Sequence, residues 1–275
     1  MDKFVSFDIE TTKPAPNEVD GDWNLGVTCI GAVIYPEATC RHWHGGQGWD
    51  GTYAATMPVL AVREFCYWLL DAERRGYDVL AFNGAGFDLK VLAHSVGDDE
   101  LSLSLFADLA DLAWRIIDPA FQFFCEKGWM TSLKAFATGM RVGDKTEGMD
   151  GLAAVEHWAS GDPEKQQKVL EYVVQDCVVA GDAYVAMVES GDPWYTTKSS
   201  DFRKRKMWRP FWSVEDGHGV QKKRVMKRLA SYDVREYESR RLLRVRECLD
   251  IPEPPAPGWL EEPWVRDRFV GWLDG

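Results

Sequence analysis

Residues 4–12 read FVSFDIETT, an apolar run that closes on two acids. Phe4, Val5, Phe7 and Ile9 are strand-forming residue types. Side chains two positions apart on a strand point to the same face, so Asp8 and Glu10 are neighbours. Like charges that close repel each other, and each loses hydration where the strand is central. Two arrangements satisfy this pattern. Either the acids face water at a strand edge, or they are buried and share a positive partner, for which a divalent cation is the obvious candidate.

The chain that follows alternates elements. VTCIGAVIY (27–35) and CRHWH (40–44) read as two further strands in a meander with the first. Residues 56–76 carry a helical period, with Val59, Leu60, Phe65, Trp68, Leu69 and Ala72 on one broad face. YDVLAFN (77–83) is a short buried strand, and GAGFDLKVLAHSVG (84–97) turns into a helix. LADLAWRII (109–117) and SLKAFATGM (132–140) are helical. A long helix runs from about Pro163 to Val188, with proline in its first turn. Strands first and then alternation predict an α/β fold, a mixed sheet flanked by helices.

At 275 residues and 45% hydrophobic, the chain supports one substantial α/β domain with an extension. No stretch approaches the length of a membrane span, and MDKFVSF lacks the apolar core of a signal peptide. The expectation is a soluble intracellular, cytoplasmic protein with no membrane partner. Six scattered cysteines without a CxxC pair read as reduced core residues. The net charge of −12 is unevenly spread. Lys198 to Arg246 holds 16 of the 32 basic residues and 6 of the 44 acids, which leaves 16 basic and 38 acidic residues elsewhere. A basic segment on an acidic body either meets a polyanion or docks on that body. Within it, GVQKKRVMKRLASYDVREYESRRLLRVRECL (219–249) reads as a long charged helix, IPEPPAPG as a stiff linker, and the remainder as a Trp-rich tail. The division is therefore 1–192 for the domain and 193–275 for a basic helical extension.

Two further acids stand out. Asp88 lies in NGAGFD, past a buried strand and at a helix start, where backbone N–H groups and the helix dipole favour a carboxylate. Helix capping accounts for such an aspartate equally well. Asp176 follows Tyr172 by four residues on the long helix, so the two share a face.

D-x-E on a first strand, N-x(3)-F-D after a later one and Y-x(3)-D on a late helix together resemble the DEDD superfamily of 3′–5′ exonucleases. The tyrosine form is similar to its DEDDy branch, and closest to the exonuclease domain of family B DNA polymerases. The histidine of the other branch is replaced here by Glu171. SLKAFA and DKTEGMDG (144–151) also resemble segments of family-B-like exonucleases, and the likeness spans about residues 1–190. It implies a ribonuclease H-like fold with a mixed five-stranded sheet. It implies that Asp8, Glu10, Asp88 and Asp176 hold two divalent cations, Mg²⁺ or Mn²⁺. Hard cations want oxygen ligands, and two of them about 4 Å apart can serve both the attacking and the leaving oxygen of a phosphodiester. Tyr172, a poor base at its ordinary pKa of about 10, would position the attacking water. Glu10 would also meet the terminal 3′ hydroxyl.

The expected substrate is single-stranded nucleic acid, DNA ahead of RNA. Thr11, Asn83 and Phe87 are candidates to line its groove, although Phe87 reads better as ordinary core. Arg203, Lys204, Arg205, Lys206 and Trp208 mix cations with a ring, which suits phosphates and stacked bases. No polymerase motifs follow. An RNA-trimming ribonuclease and a non-catalytic nucleic-acid-binding adaptor are the alternatives. Three signals stay outside this reading. Cys40, His42 and His44 alternate on one strand face as a conceivable soft-metal site. HGGQGWDG and NGAGFD are glycine-rich but lack the lysine of a phosphate loop. Asp108 and Asp111 in FADLADLA read as a support for the cleft or as a solvated helix start.

Overall fold

The computed structural model describes residues 3–14, 24–120, 123, 131–143, 148–190, 194–199 and 202–207. Strands β1 (Phe4–Thr11), β2 (Val27–Tyr35) and β3 (Thr39–His44) form the antiparallel meander, and β4 (Asp78–Leu80) lies parallel to β1. The order across the sheet is β3-β2-β1-β4. A parallel neighbour needs a crossover, and α1 (Val59–Arg74) provides it. Helices α2 (Asp88–Ser95), α3 (Glu100–Arg115), α4 (Leu133–Met140), α5 (Gly151–Ala159) and α6 (Pro163–Ser190) follow. None of the described helices is long and apolar enough to cross a membrane.

The fifth strand that was expected is, among the described residues, reduced to one bridge. Ile117 pairs in parallel with Leu80, donating to Val79 O at 2.8 Å and accepting from Ala81 N at 3.1 Å. The next two residues do not continue the ladder. The Asp118 carboxylate is committed to backbone N–H groups of the 83–85 turn, and Pro119 has no N–H to offer a ladder.

The period-2 pattern of β1 separates two cores. Val5, Phe7 and Ile9 face α1, α2 and α3, with Phe7 and Phe65 rings 5.7 Å apart. The opposite face meets α6. There Phe4 stacks on Tyr35 at 4.4 Å, and the Ser6 hydroxyl donates to Cys177 O at 2.8 Å. Asp8 and Glu10 continue that second face, so they point to the α6 side. The expected apolar face of α1 is shifted by its start. Phe65, Leu69 and Ala72 are buried together with Val62, Cys66 and Leu70, but Val59 and Leu60, just after the Pro58 N-cap, stay exposed.

Gly31 lies opposite Asp8 in the β1–β2 register. A Cβ there would stand 2.9 Å from the backbone carbonyl carbon and oxygen of Val173, so glycine is what lets α6 lie directly on the sheet.

The basic segment begins with a hairpin, ahead of the helix expected at 219–249. Trp194–Ser199 (β5) and Phe202–Met207 (β6) form an antiparallel hairpin. It docks on α4: Tyr195 is buried beside Phe123 (4.6 Å), the Trp194 N–H donates to Met140 Sδ (3.1 Å), and a Gly139 Cβ would meet Tyr195 Cα at 2.3 Å. The start of the expected extension is thus packed into the body. The expected helix (219–249), linker and tail lie outside the described residues.

Gly31→Ala should therefore lower stability by about 1–3 kcal/mol in urea unfolding, the cost of overpacking a tight contact. Gly151→Ala, where a Cβ meets open space, should stay within about 0.5 kcal/mol of wild type.

Candidate active site

Three segments bring the predicted acids to one end of the sheet. β1 delivers Asp8, half-buried, and Glu10, 8% exposed, beside Gly31 and Cys29 of β2. The β1–β4 ladder stops at Ser6. Beyond it the Ile9 N–H, on the vacated edge, donates to Asp88 Oδ1 at 3.2 Å. Asp88 is 2% exposed and opens α2, so its carboxylate serves as a substitute strand partner at a helix N-terminus.

The turn before it is built to aim it. Asn83 adopts a left-handed conformation (φ 71°), and its carbonyl accepts from Gly86 N at 3.1 Å and Phe87 N at 2.9 Å. Asp118, buried, accepts from Asn83 N at 2.9 Å and Ala85 N at 3.1 Å. α6 supplies the third segment. Tyr172 and Asp176, 2% and 4% exposed, sit one turn apart on the stretch held by Gly31 and Ser6.

Electrostatics show the same convergence. Tyr172 is held far above its ordinary pKa by burial and then by the charges of Asp176, Glu10 and Asp8, and its hydroxyl donates to Asp176. The Cys177 thiol is pushed up by burial and by Asp8, Asp176 and Asp88. Cys29 responds to burial and then to Glu10. All four acids act on this one neighbourhood. Asp88 is itself pushed well above the usual carboxylate range, by burial first and then by the charges of Asp8 and Asp118.

The donor set suits a hard divalent cation in kind, because it consists of carboxylate oxygens gathered on one face. It is not closed around a point: among the described residues no group of three or more His, Cys, Asp or Glu side chains is arranged to hold a metal ion. The fit is one of chemistry and placement, and coordination would require the carboxylates to turn toward a common centre.

The other predicted residues fall in varied settings. Thr11 is buried and its hydroxyl donates to Lys13 O at 2.7 Å. Asn83 is half-buried in the aiming turn, and Phe87 packs partly against the α1–α3 core. Arg203, Lys204, Arg205 and Lys206 lie along the backbone of β6, and Trp208 lies outside the described residues. Asp108 stands away as an exposed partner of Arg74 at 3.8 Å, and Asp111 pairs with Arg115 one turn on. Asp118 is the supporting carboxylate that sequence reasoning missed. Its only sequence signal is an acid between an apolar run and a proline.

A sheet of order 3-2-1-4, with acids on its first strand facing a long helix late in the domain, fits a ribonuclease H-like α/β protein. The family model described as the RNase H superfamily matches residues 5–187, and the chain belongs to that superfamily. No curated protein matches the chain at a significant level. Membership makes a nuclease-type, nucleic-acid-processing hydrolase the class of function, with nucleic acid as substrate.

The raised pKa of Asp88 sets a sign for stability. The folded state holds this proton more tightly than the unfolded state, so stability falls as pH rises above about 4. With EDTA present, Asp88→Asn should unfold at higher urea than wild type at pH 7. That advantage should shrink toward pH 4, and a pH-independent difference would contradict it.

Proposed function

We propose that the protein is a DEDDy-type 3′–5′ exonuclease that depends on divalent cations and acts on single-stranded DNA or unpaired 3′ ends. The observation that supports the reading is that Asp8, Glu10 and Asp176 surround Tyr172, while Asp88 meets β1 at Ile9 and acts with Asp8 and Asp176 on Cys177, the neighbour of Asp176. These residues come from three segments separated by some 70 residues or more. Asp8, Glu10, Asp88 and Asp176 would hold two Mg²⁺ or Mn²⁺ ions, whose charge favours both attack by water and departure of the leaving oxygen. Tyr172 orients the attacking water, Glu10 meets the terminal 3′ hydroxyl, and the basic β6 residues steady the phosphates upstream.

In each cycle a water oxygen bonds to phosphorus and the bond to the preceding 3′ oxygen breaks. That oxygen takes a proton, which leaves a shortened strand with a 3′ hydroxyl and a released 5′-mononucleotide.

The rival with an observation behind it is a non-catalytic binding protein. It is favoured by the open arrangement of the acids. Mn²⁺ titration separates the two, since the exonuclease must bind the ion and Asp8→Ala must weaken that binding.

The decisive assay digests 5′-labelled single-stranded DNA and RNA with Mn²⁺ or Mg²⁺. Wild type should give a descending ladder on DNA that is absent on a 3′-blocked strand. Asp8→Ala and Asp176→Ala should each lose about 10³-fold or more in rate, and Tyr172→Phe about 10–10²-fold. A chain ending at Met207, which keeps the docked hairpin, should bind DNA more weakly and with a shallower salt dependence. A ladder on RNA alone would reassign the substrate. Mn²⁺ binding without cleavage of either strand would overturn the exonuclease.

A further inference from the structure

A buried acid outside the predicted set shapes the site from behind. Ile117 is bridged to the end of β4, donating to Val79 O and accepting from Ala81 N, and this places Asp118 beside the turn that follows that strand. Asp118 Oδ1 then accepts from Asn83 N at 2.9 Å and Oδ2 from Ala85 N at 3.1 Å. The residue is 2% exposed.

The turn held in this way leads straight into Asp88. Asn83 O accepts from Gly86 N and Phe87 N, and Gly84 O accepts from Leu89 N at 3.0 Å, so backbone bonds tie the chain on both sides of Asp88. Gly84 lies tight against the same frame, where a Cβ would run into Ala81 and Ile116. Asn83 is left-handed at φ 71°, a backbone state that few non-glycine residues adopt without support. Its N–H is the one that Asp118 Oδ1 accepts.

We propose that Asp118 is a positioning residue for divalent-cation binding, which fixes the 83–87 turn so that Asp88 stays at the β1 edge and which adds negative charge behind that ligand. The inference rests on the nuclease reading above. Asp118 is buried behind the turn with its oxygens facing backbone N–H groups, so it supports a ligand rather than serving as one. With the backbone tied on both sides, coordination needs only the Asp88 side chain to turn.

Two N–H groups facing two oxygens account for a carboxylate here rather than an amide, whose NH₂ would point at one of the donors. The charge has a second effect. It reaches Asp88 and, after burial and Asp8, pushes that carboxyl toward its protonated form. An anion behind a ligating carboxylate makes the bare site less stable and enlarges the gain when a cation arrives.

The test measures Mn²⁺ binding to the full-length protein by calorimetric titration without nucleic acid, alongside urea unfolding in EDTA. Asp118→Asn keeps the shape of the side chain but removes its charge and one acceptor, and should weaken Mn²⁺ binding about 10–100-fold. Asp118→Glu, which keeps the charge but cannot match both donors, should lose less. Tyr195→Ala removes a buried ring from the hairpin. It should lower stability and leave Mn²⁺ affinity unchanged, which a merely structural role for Asp118 would also predict of Asp118→Asn. If wild type binds Mn²⁺ and a folded Asp118 variant binds it as tightly, the proposal is overturned while the nuclease reading stands. An equal loss of affinity in Tyr195→Ala would overturn it too, because the effect would then follow stability. If wild type itself binds no Mn²⁺, the exonuclease reading falls and the role of Asp118 with it.

Discussion

The contact on which the rest depends is the seating of α6 on β2 at Gly31. Any larger residue would hold the helix off by the width of a methyl group, since a Cβ would already stand 2.9 Å from Val173. Because Gly31 is the cross-strand neighbour of Asp8, that approach also decides how near Tyr172 and Asp176 come to the acids of β1. Ser6 fastens the same helix one pleat further along by donating to Cys177 O. Packing and site geometry thus share one cause, the missing side chain at position 31.

The acid cluster sets electrostatics against folding. Burial and neighbouring negative charge push Asp88 upward, and Tyr172 and Cys177 respond to the same field. Such an arrangement costs stability in the bare protein. It persists because the carboxylates also do structural duty. Asp88 caps the open β1 edge at Ile9, and Asp118 ties down the turn in front of it. A divalent cation bound among these carboxylates would offset that repulsion.

The basic hairpin and the ring row of His42, His44 and Tyr53 lie on different parts of the frame. The hairpin of β5 and β6 is fixed to α4 through Gly139 and Tyr195, which anchors the basic run to the body. The ring row of β3 and its turn is fixed to the start of α6 through Gln166.

Local pattern alone determined much of this protein. Alternation placed β1 and β2 and Pro163 marked the start of α6, because period and capping act within a few residues, while Asp8, Glu10, Asp88, Tyr172 and Asp176 were singled out by the resemblance of their motifs to an exonuclease family. Other features needed the tertiary structure. Asp118 supports a turn more than 30 residues earlier in the chain, and among the described residues the pairing beyond β4 is a single bridge at Ile117. The exposure of Val59 and Leu60 follows from where α1 begins relative to the sheet. The two histidines of CRHWH became a stack rather than a metal site because of register and Tyr53. For Asp118 the deciding partner is distant in sequence, and only packing selects among partners that local chemistry leaves equivalent.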